Sequence, residues 1–159
     1  MADRVVNVCG IDYSTRAIDA VFVDLDDLQP PQWLRYELVG ADAWERTRQI
    51  RHLPWVWDDV LAVGLEEPRG PGTGVLLRVQ GAILTRIPGA LLVQPWVPSQ
   101  WRKAVGLSGN ASKLDVKDYI QSEHTGWVVG GGPAAWPQDA YDAYCIALAT
   151  RAAISRETT

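Results

Sequence analysis

Disulfide and soft-metal chemistry have little raw material in this chain, which holds two cysteines and two histidines among 159 residues. Cys9 and Cys145 both lie in apolar stretches and read as reduced core thiols of a cytoplasmic protein, not as a disulfide or a zinc site. His52 and His124 read as surface or helix-end residues. No apolar run reaches the ~20 residues of a membrane span, and the N-terminal residues lack the apolar core of a secretory signal, so no membrane partner is expected. Excess positive charge is also missing. The formal net charge is −4, which does not announce nucleic-acid binding, although a basic patch can coexist with an acidic site. What remains is ordinary globular composition, 47% hydrophobic and 21% charged, in a chain of the right length for one domain, residues 1–159, with a core that needs no staples. Tryptophan is abundant. The eight indoles are expected mostly in the core or in groove walls, with some serving as stacking surfaces.

The organising stretch is Val5 to Asp12, an apolar β-branched run of strand length that ends on a carboxylate. Period-two counting puts Val6, Val8, Gly10 and Asp12 on one face. Ala20–Leu25 and Trp33–Leu38 read as second and third strands, so the chain opens with three antiparallel strands. The acidic turn after the second, Asp24 to Asp27, reads as a solvated loop. Asp42 can cap a helix running to about His52, with Trp44, Thr47, Ile50 and Leu53 inward. Val60–Glu66 is another apolar run ending in an acid, and on its Glu66 face lie Ala62 and Gly64. In both strands a glycine precedes the acid by two residues on the same face, leaving a shallow surface for close packing. That repetition favours Glu66 over Glu67 as the inward acid, since a one-residue slip would exchange them.

Pro68–Gly74 is a Pro/Gly-rich loop without the Lys-Ser/Thr ending of a phosphate loop. A helix over about Val75–Thr85 and a strand over Ala90–Pro95 follow, implying a parallel crossover. Pro98–Val105 and about Lys113–Ser122, the latter capped by Ser112, read as helices carrying Arg102, Lys103, Lys113 and Lys117. With Trp96 and Trp101 interleaved, these cations form either a solvated face or a phosphate-tracking surface. Gly130–Pro133 reads as a mobile linker flanked by Trp127 and Trp136. The last helix runs from Pro137 to about Ser155. It is apolar nearly all round, as expected of a helix buried on a sheet, and it places Asp139 and Asp142 on one face.

Two strand-end acids and two acids of a buried helix can converge at one edge of the sheet. Clustered carboxylates raise one another's pKa, and divalent metal offsets the repulsion. Oxygen-only ligands point to magnesium, with manganese able to substitute. Two ions about 3.5–4 Å apart suit metal-assisted hydrolysis of a phosphodiester. Asp12, Glu66, Asp139 and Asp142 are the candidate ligands and catalytic groups. Tyr13 and Ser14, beside Asp12, are candidates either to support the acids or to contact phosphate.

Gly10-Ile11-Asp12, Leu65-Glu66-Glu67, the stretch from Gln100-Trp101-Arg102-Lys103 to Ser112-Lys113, and Asp139-Ala140-Tyr141-Asp142-Ala143 occur in the order seen in a known family. The chain resembles, over nearly its whole length, the RuvC-like Holliday junction resolvases of the ribonuclease H-like superfamily, of the kind also found in bacteriophages. The resemblance implies a ribonuclease H-like α/β fold: a mixed five-stranded sheet, three antiparallel strands then two parallel, with helices on both faces. It implies a Mg2+-dependent endonuclease acting on branched DNA, especially four-way junctions, in the bacterial or phage-infected host cytosol. It also implies two ions per site and a symmetric homodimer. The family's two basic DNA-contacting positions fall at Arg102 and Lys113, with Lys103 and Lys117 beside them. Where the family carries an aromatic wedge after the second acid, this chain has Pro68-Arg69-Gly70-Pro71-Gly72, and Arg69 becomes a candidate phosphate contact.

Three other readings compete. A flap or fork nuclease would use the same chemistry. A non-catalytic junction-binding protein would not need all four acids. Sugar kinases and actin-like ATPases share the core fold and also open on a strand-end Asp, but they need a duplicated domain for which 159 residues are too few.

Overall fold

The computed structural model describes residues 6–123 and 136–157. His124, Trp127 and the Gly130–Pro133 linker expected above lie outside the described residues. The element order is β1 (Asn7–Tyr13), β2 (Ala17–Asp24), β3 (Gln32–Glu37), α1 (Ala43–Gln49) with a 3-10 turn (Ile50–His52), β4 (Val60–Glu66), α2 (Gly74–Leu84), β5 (Leu92–Trp96), α3 (Pro98–Ala104), α4 (Lys113–Glu123) and α5 (Gln138–Glu157).

The five strands form one sheet in the order β3-β2-β1-β4-β5. β1 pairs antiparallel with β2, and β2 with β3. β1 pairs parallel with β4, and β4 with β5. This is the mixed sheet expected from the sequence. β1 and β4 end side by side because they run parallel, so the acids that close both strands emerge at the same edge.

The pleat divides the core into two layers. Val8, Val21 and Val23 pack with Trp101 of α3, Val116 and Ile120 of α4, and the apolar body of α5. Cys9, Ile11, Ile18, Ala20, Val63 and Leu65 pack on the other side with Ile50, Val79 and Ile83. Helices therefore cover both faces. Cys9 and Cys145 are buried free thiols, and no helix of the described residues is long and apolar enough to cross a membrane.

The glycine surface has the expected use. A Cβ on Gly10 would overlap the Ala143 carbonyl oxygen and the Ala147 amide nitrogen of α5, and a Cβ on Gly64 would overlap the Thr150 hydroxyl. Gly10 and Gly64 are also partners in the β1–β4 register. The missing side chains let the backbone of α5 lie against the centre of the sheet.

Local chemistry fixes several helix starts. The Glu45 amide donates to Asp42 Oδ1 at 2.8 Å at the start of α1. The Asp115 amide donates to Ser112 Oγ at 3.2 Å, and the Ser112 amide donates to Asp115 Oδ2 at 2.7 Å, a reciprocal cap for α4.

Some expectations are corrected. β2 begins at Ala17, three residues before the expected start, because Ala17 and Ile18 are buried and pair with Glu37 and Tyr36. Trp44 points outward, 62% exposed, while Ile50 of the 3-10 turn after α1 is fully buried. Asp24 is not part of a solvated loop. It is buried and accepts the Asp26 and Leu28 amides, closing the turn as an internal cap.

Candidate metal centre and its basic rim

Asp12 on β1, Glu66 on β4 and Asp139 and Asp142 on α5 line one cavity at the strand ends, together with Tyr13, Ser14, Asp19, Arg102 and Lys113. Carboxylate oxygens of Asp12, Asp139 and Asp142 all lie within 4.8 Å of one another. Glu66 completes the wall of the same cavity, with Oε2 accepting the Trp101 indole N–H at 2.7 Å. Glu67 turns away to pair with Arg69 at 3.1 Å, so the inward acid is Glu66.

The fold forces these charges together. Asp12 ends a buried strand, and its Cα partner on β2 is Asp19. Asp139 and Asp142 enter from the first turns of α5, which the glycine surface draws down onto the sheet. Burial raises the Asp12 carboxyl well above its usual range, with Asp142, Glu66 and Asp139 adding to the rise and Lys113 opposing it. Burial likewise pushes Asp142 up to about 6, against the pull of Lys113 and Arg102. Burial raises Glu66 too, against the Trp101 hydrogen bond and the charges of Arg102 and Lys113. For the Lys113 ammonium, burial works downward but is outweighed by its hydrogen bond to Asp139 and the charges of Asp142, Asp139 and Asp12, and its pKa rises. Three acids that resist ionising and one cation held more tightly describe a site short of positive charge.

Lys113 Nζ lies 3.1 Å from Asp139 Oδ1 and 3.7 Å from Asp142 Oδ2. Asp142 Oδ1 is buried and has no hydrogen-bond partner among the described residues. An orphaned carboxylate oxygen, beside two further carboxylates and with no Cys or His among the described residues that line the cavity, fits a hard divalent cation of the Mg2+ or Mn2+ kind.

The expected cations divide. Arg102 and Lys113 line the cavity. Lys117 sits one turn further along α4 and Lys103 is exposed on α3; neither lines the cavity. Arg69 is exposed and engaged with Glu67. The two indoles interleaved with these cations are tied into the fold. Trp101 is fully buried, and the half-buried Trp96 donates its indole N–H to Thr150 Oγ1 at 2.9 Å.

Tyr13 and Ser14 line the cavity beside Asp12. The Tyr13 hydroxyl donates to the Glu66 carbonyl at 2.7 Å, tying the two strand ends together. Ser14 Oγ accepts the Arg16 and Ala17 amides and closes the β1–β2 turn.

Asp19 was not foreseen. It is 1% exposed and also lines the cavity. Trp33 Nε1 donates to Asp19 Oδ1 at 2.9 Å, and Arg35 Nη1 donates to Oδ1 and Oδ2 at 3.1 and 2.9 Å. Both oxygens are thus partnered on the sheet, unlike Oδ1 of Asp142. A lone acid between Ile18 and Ala20 in an otherwise apolar run was the available signal.

No protein-family model matches the sequence, and no curated protein matches it. Solved structures do. Thermus thermophilus RuvC aligns with a TM-score of 0.72 over 96% of this chain and 98% of its own, at 20% identity. The same protein in complex with Holliday junction substrate gives 0.68 at 20% identity, over 96% and 97%. The yeast mitochondrial Holliday junction resolvase Ydc2 gives 0.56 at 12% identity, over 97% of this chain and 85% of its own. The fold is therefore similar, nearly end to end, to that of T. thermophilus RuvC: a ribonuclease H-like mixed α/β sheet of five strands.

Proposed function

We propose that this chain is a single-domain, metal-dependent DNA endonuclease that resolves Holliday junctions by phosphodiester hydrolysis. The observation that carries the reading is the convergence of Asp12, Asp139 and Asp142 within 4.8 Å, with Glu66, Arg102 and Lys113 lining the same cavity. The similar fold of T. thermophilus RuvC, which was solved with a Holliday junction substrate, gives this convergence its substrate class.

Asp12, Glu66, Asp139 and Asp142 are the residues that would hold Mg2+, or Mn2+ in its place, as a pair of ions. Such ions supply Lewis acidity for the attack of water on a phosphodiester and for charge on the departing oxygen. The chain's own part is positioning. Four acids on three separate elements create a fixed anionic socket. Arg102 meets a phosphate from the side of α3. Lys113, which pairs with Asp139 and Asp142, becomes free for a second phosphate once those acids are otherwise neutralised. Lys103, Lys117 and Arg69 lie further out as flanking phosphate contacts. Cleavage of two opposed strands calls for two sites, which a symmetric homodimer supplies. Two buried free thiols suit the reducing cytoplasm.

The test is cleavage of end-labelled synthetic DNAs in Mg2+: a four-way junction, a flap, a fork and a linear duplex, with Asp142→Asn in parallel. Paired symmetric nicks on the junction alone, lost in the variant, are expected. Cuts on several branched forms would replace junction resolution with general branch cleavage by the same socket. No cuts in Mg2+ or Mn2+, or cuts that survive Asp142→Asn, would overturn the assignment.

A further inference from the structure

We propose that Trp101 is a positioning residue of this site, whose single indole fixes both Glu66 and Arg102. The proposal rests on the reading above, in which Glu66 holds metal and Arg102 holds phosphate.

A buried indole N–H needs an acceptor, and a backbone carbonyl would satisfy it. Trp101 is 0% exposed and instead spends its N–H on a carboxylate of the acidic cavity, Glu66 Oε2 at 2.7 Å, 35 residues away in the chain. A hydrogen bond to an ionised acceptor is of the stronger, charge-assisted kind. Glu66 is anchored from its backbone as well, since its carbonyl accepts the Tyr13 hydroxyl at 2.7 Å and the Gln80 amide at 3.4 Å. One carboxylate oxygen is thereby held toward α3. Asp19 shows the contrast: Trp33 and Arg35 partner both of its oxygens.

The other face of the argument is the ring. Arg102 Cζ stands 4.9 Å from the Trp101 ring centroid, within cation–π range. Arg102 has little else to orient it. Its Nε is buried without a partner among the described residues, and its Nη1 reaches the Gly109 carbonyl only at 3.5 Å. The indole therefore sets an acid of β4 and a cation of α3 in a fixed relation, through its edge and its face respectively.

Trp101→Phe separates the two roles, because phenylalanine keeps an aromatic face for Arg102 and loses the N–H. Mn2+ affinity of the full chain, measured by calorimetry without DNA, is expected to fall about 10–100-fold, as for loss of other hydrogen bonds that orient a metal ligand. Metal-free binding to a four-way junction is expected to stay at the wild-type level in Trp101→Phe and to weaken in Trp101→Leu. A Trp101→Phe protein that binds Mn2+ as tightly as wild type would overturn the proposal alone and mark Trp101 as a core residue only. Wild-type protein that binds no Mn2+ would overturn the metal-centre reading, and this proposal with it.

Should Trp101→Phe fail to fold, the contact is read in Glu66→Gln. The Trp101 indole 15N–1H resonance is expected to move when the carboxylate is removed from the metal-free protein. An unmoved resonance would overturn the proposal.

Discussion

Asp142→Asn should make the metal-free protein more stable while abolishing its function. Burial lifts the Asp142 carboxyl from 3.8 to about 6, a rise of about two pH units, worth about 3 kcal/mol between the two protonation states. The sign follows from where the proton is held more tightly. With the folded pKa above the unfolded one, the folded state binds the proton better. Stability is then full below about pH 4 and declines as pH rises to about 6. At neutral pH the ionised carboxylate is a standing penalty. Asparagine removes the charge in nearly the same shape and leaves Lys113 its 3.1 Å contact with Asp139. It also removes the Asp142 charge, one of the causes of the raised Asp12 pKa. A buried amide without a full set of partners costs about 1 kcal/mol, which leaves a net gain of about 2 kcal/mol. For a chain of this size that corresponds to a Tm higher by about 4–8 °C. The assay is thermal unfolding of both proteins in chelator across the acid-to-neutral range, then in Mg2+. In Mg2+ the order should reverse. A ligand at a hundredfold excess over Kd adds about 2.7 kcal/mol to a protein that binds it, and the variant has lost a ligand. A variant no more stable than wild type at neutral pH in chelator would refute the reasoning, as would an equal Mg2+ effect on both.

Three further outcomes follow from the geometry. Gly10→Ala presses a methyl group into the backbone of α5 and should cost about 3 kcal/mol in urea unfolding, whereas Gly64→Ala meets the side chains of Thr150 and Ile146 first and should cost less; equal costs would mean that α5 is not held at this distance. Arg35→Met strands the buried Asp19 carboxylate and should cost about 3 kcal/mol, with much of it recovered in the Asp19→Asn, Arg35→Met double variant; a Tm no better in the double than in the single variant would refute this. Glu66→Gln should slow junction cleavage about 100-fold or more, while Glu67→Gln, which loses a surface pair with Arg69, should cut at the wild-type rate and change stability by under about 0.5 kcal/mol.

What the sequence disclosed and what it hid divide along a physical line. The glycine two residues before each strand-end acid was legible because side chains alternate strictly along a strand, so Gly10 with Asp12, and Gly64 with Glu66, needed no knowledge of the partner. The burial of α5 was legible because its residues are apolar on every side. Asp19 was hidden because the unbroken apolar run begins only at Ala20, and one acid flanked by Ile18 and Ala20 gives no sign of Trp33 and Arg35, which reach it from the next strand. That Trp101 is one of the indoles expected in the core was hidden for a related reason. α3 is seven residues long, too short for its own periodicity to declare an inner face, and only its packing against α5 decides that the indole points inward. Trp44, in an equally short helix, went the other way. Local pattern fixes facing where the element is long or strictly alternating, and fails where the deciding neighbour is distant in the chain.

Two of the four acids belong to the sheet and two to a helix, and these are separate bodies. The gap between them is governed at Gly10 and Gly64, further down the strands, where the absence of two methyl groups lets α5 settle. The carboxylate spacing is thus gauged away from the carboxylates themselves, as the jaws of a caliper are set by its screw. Any substitution that lifts α5 widens the opening between sheet acids and helix acids without altering a ligand. In the proposed metal centre, ion-size preference, smaller Mg2+ against larger Mn2+ or Ca2+, would then be a property of core packing, and residues such as Ala147 and Thr150, which meet the glycine surface, would be part of what selects the ion.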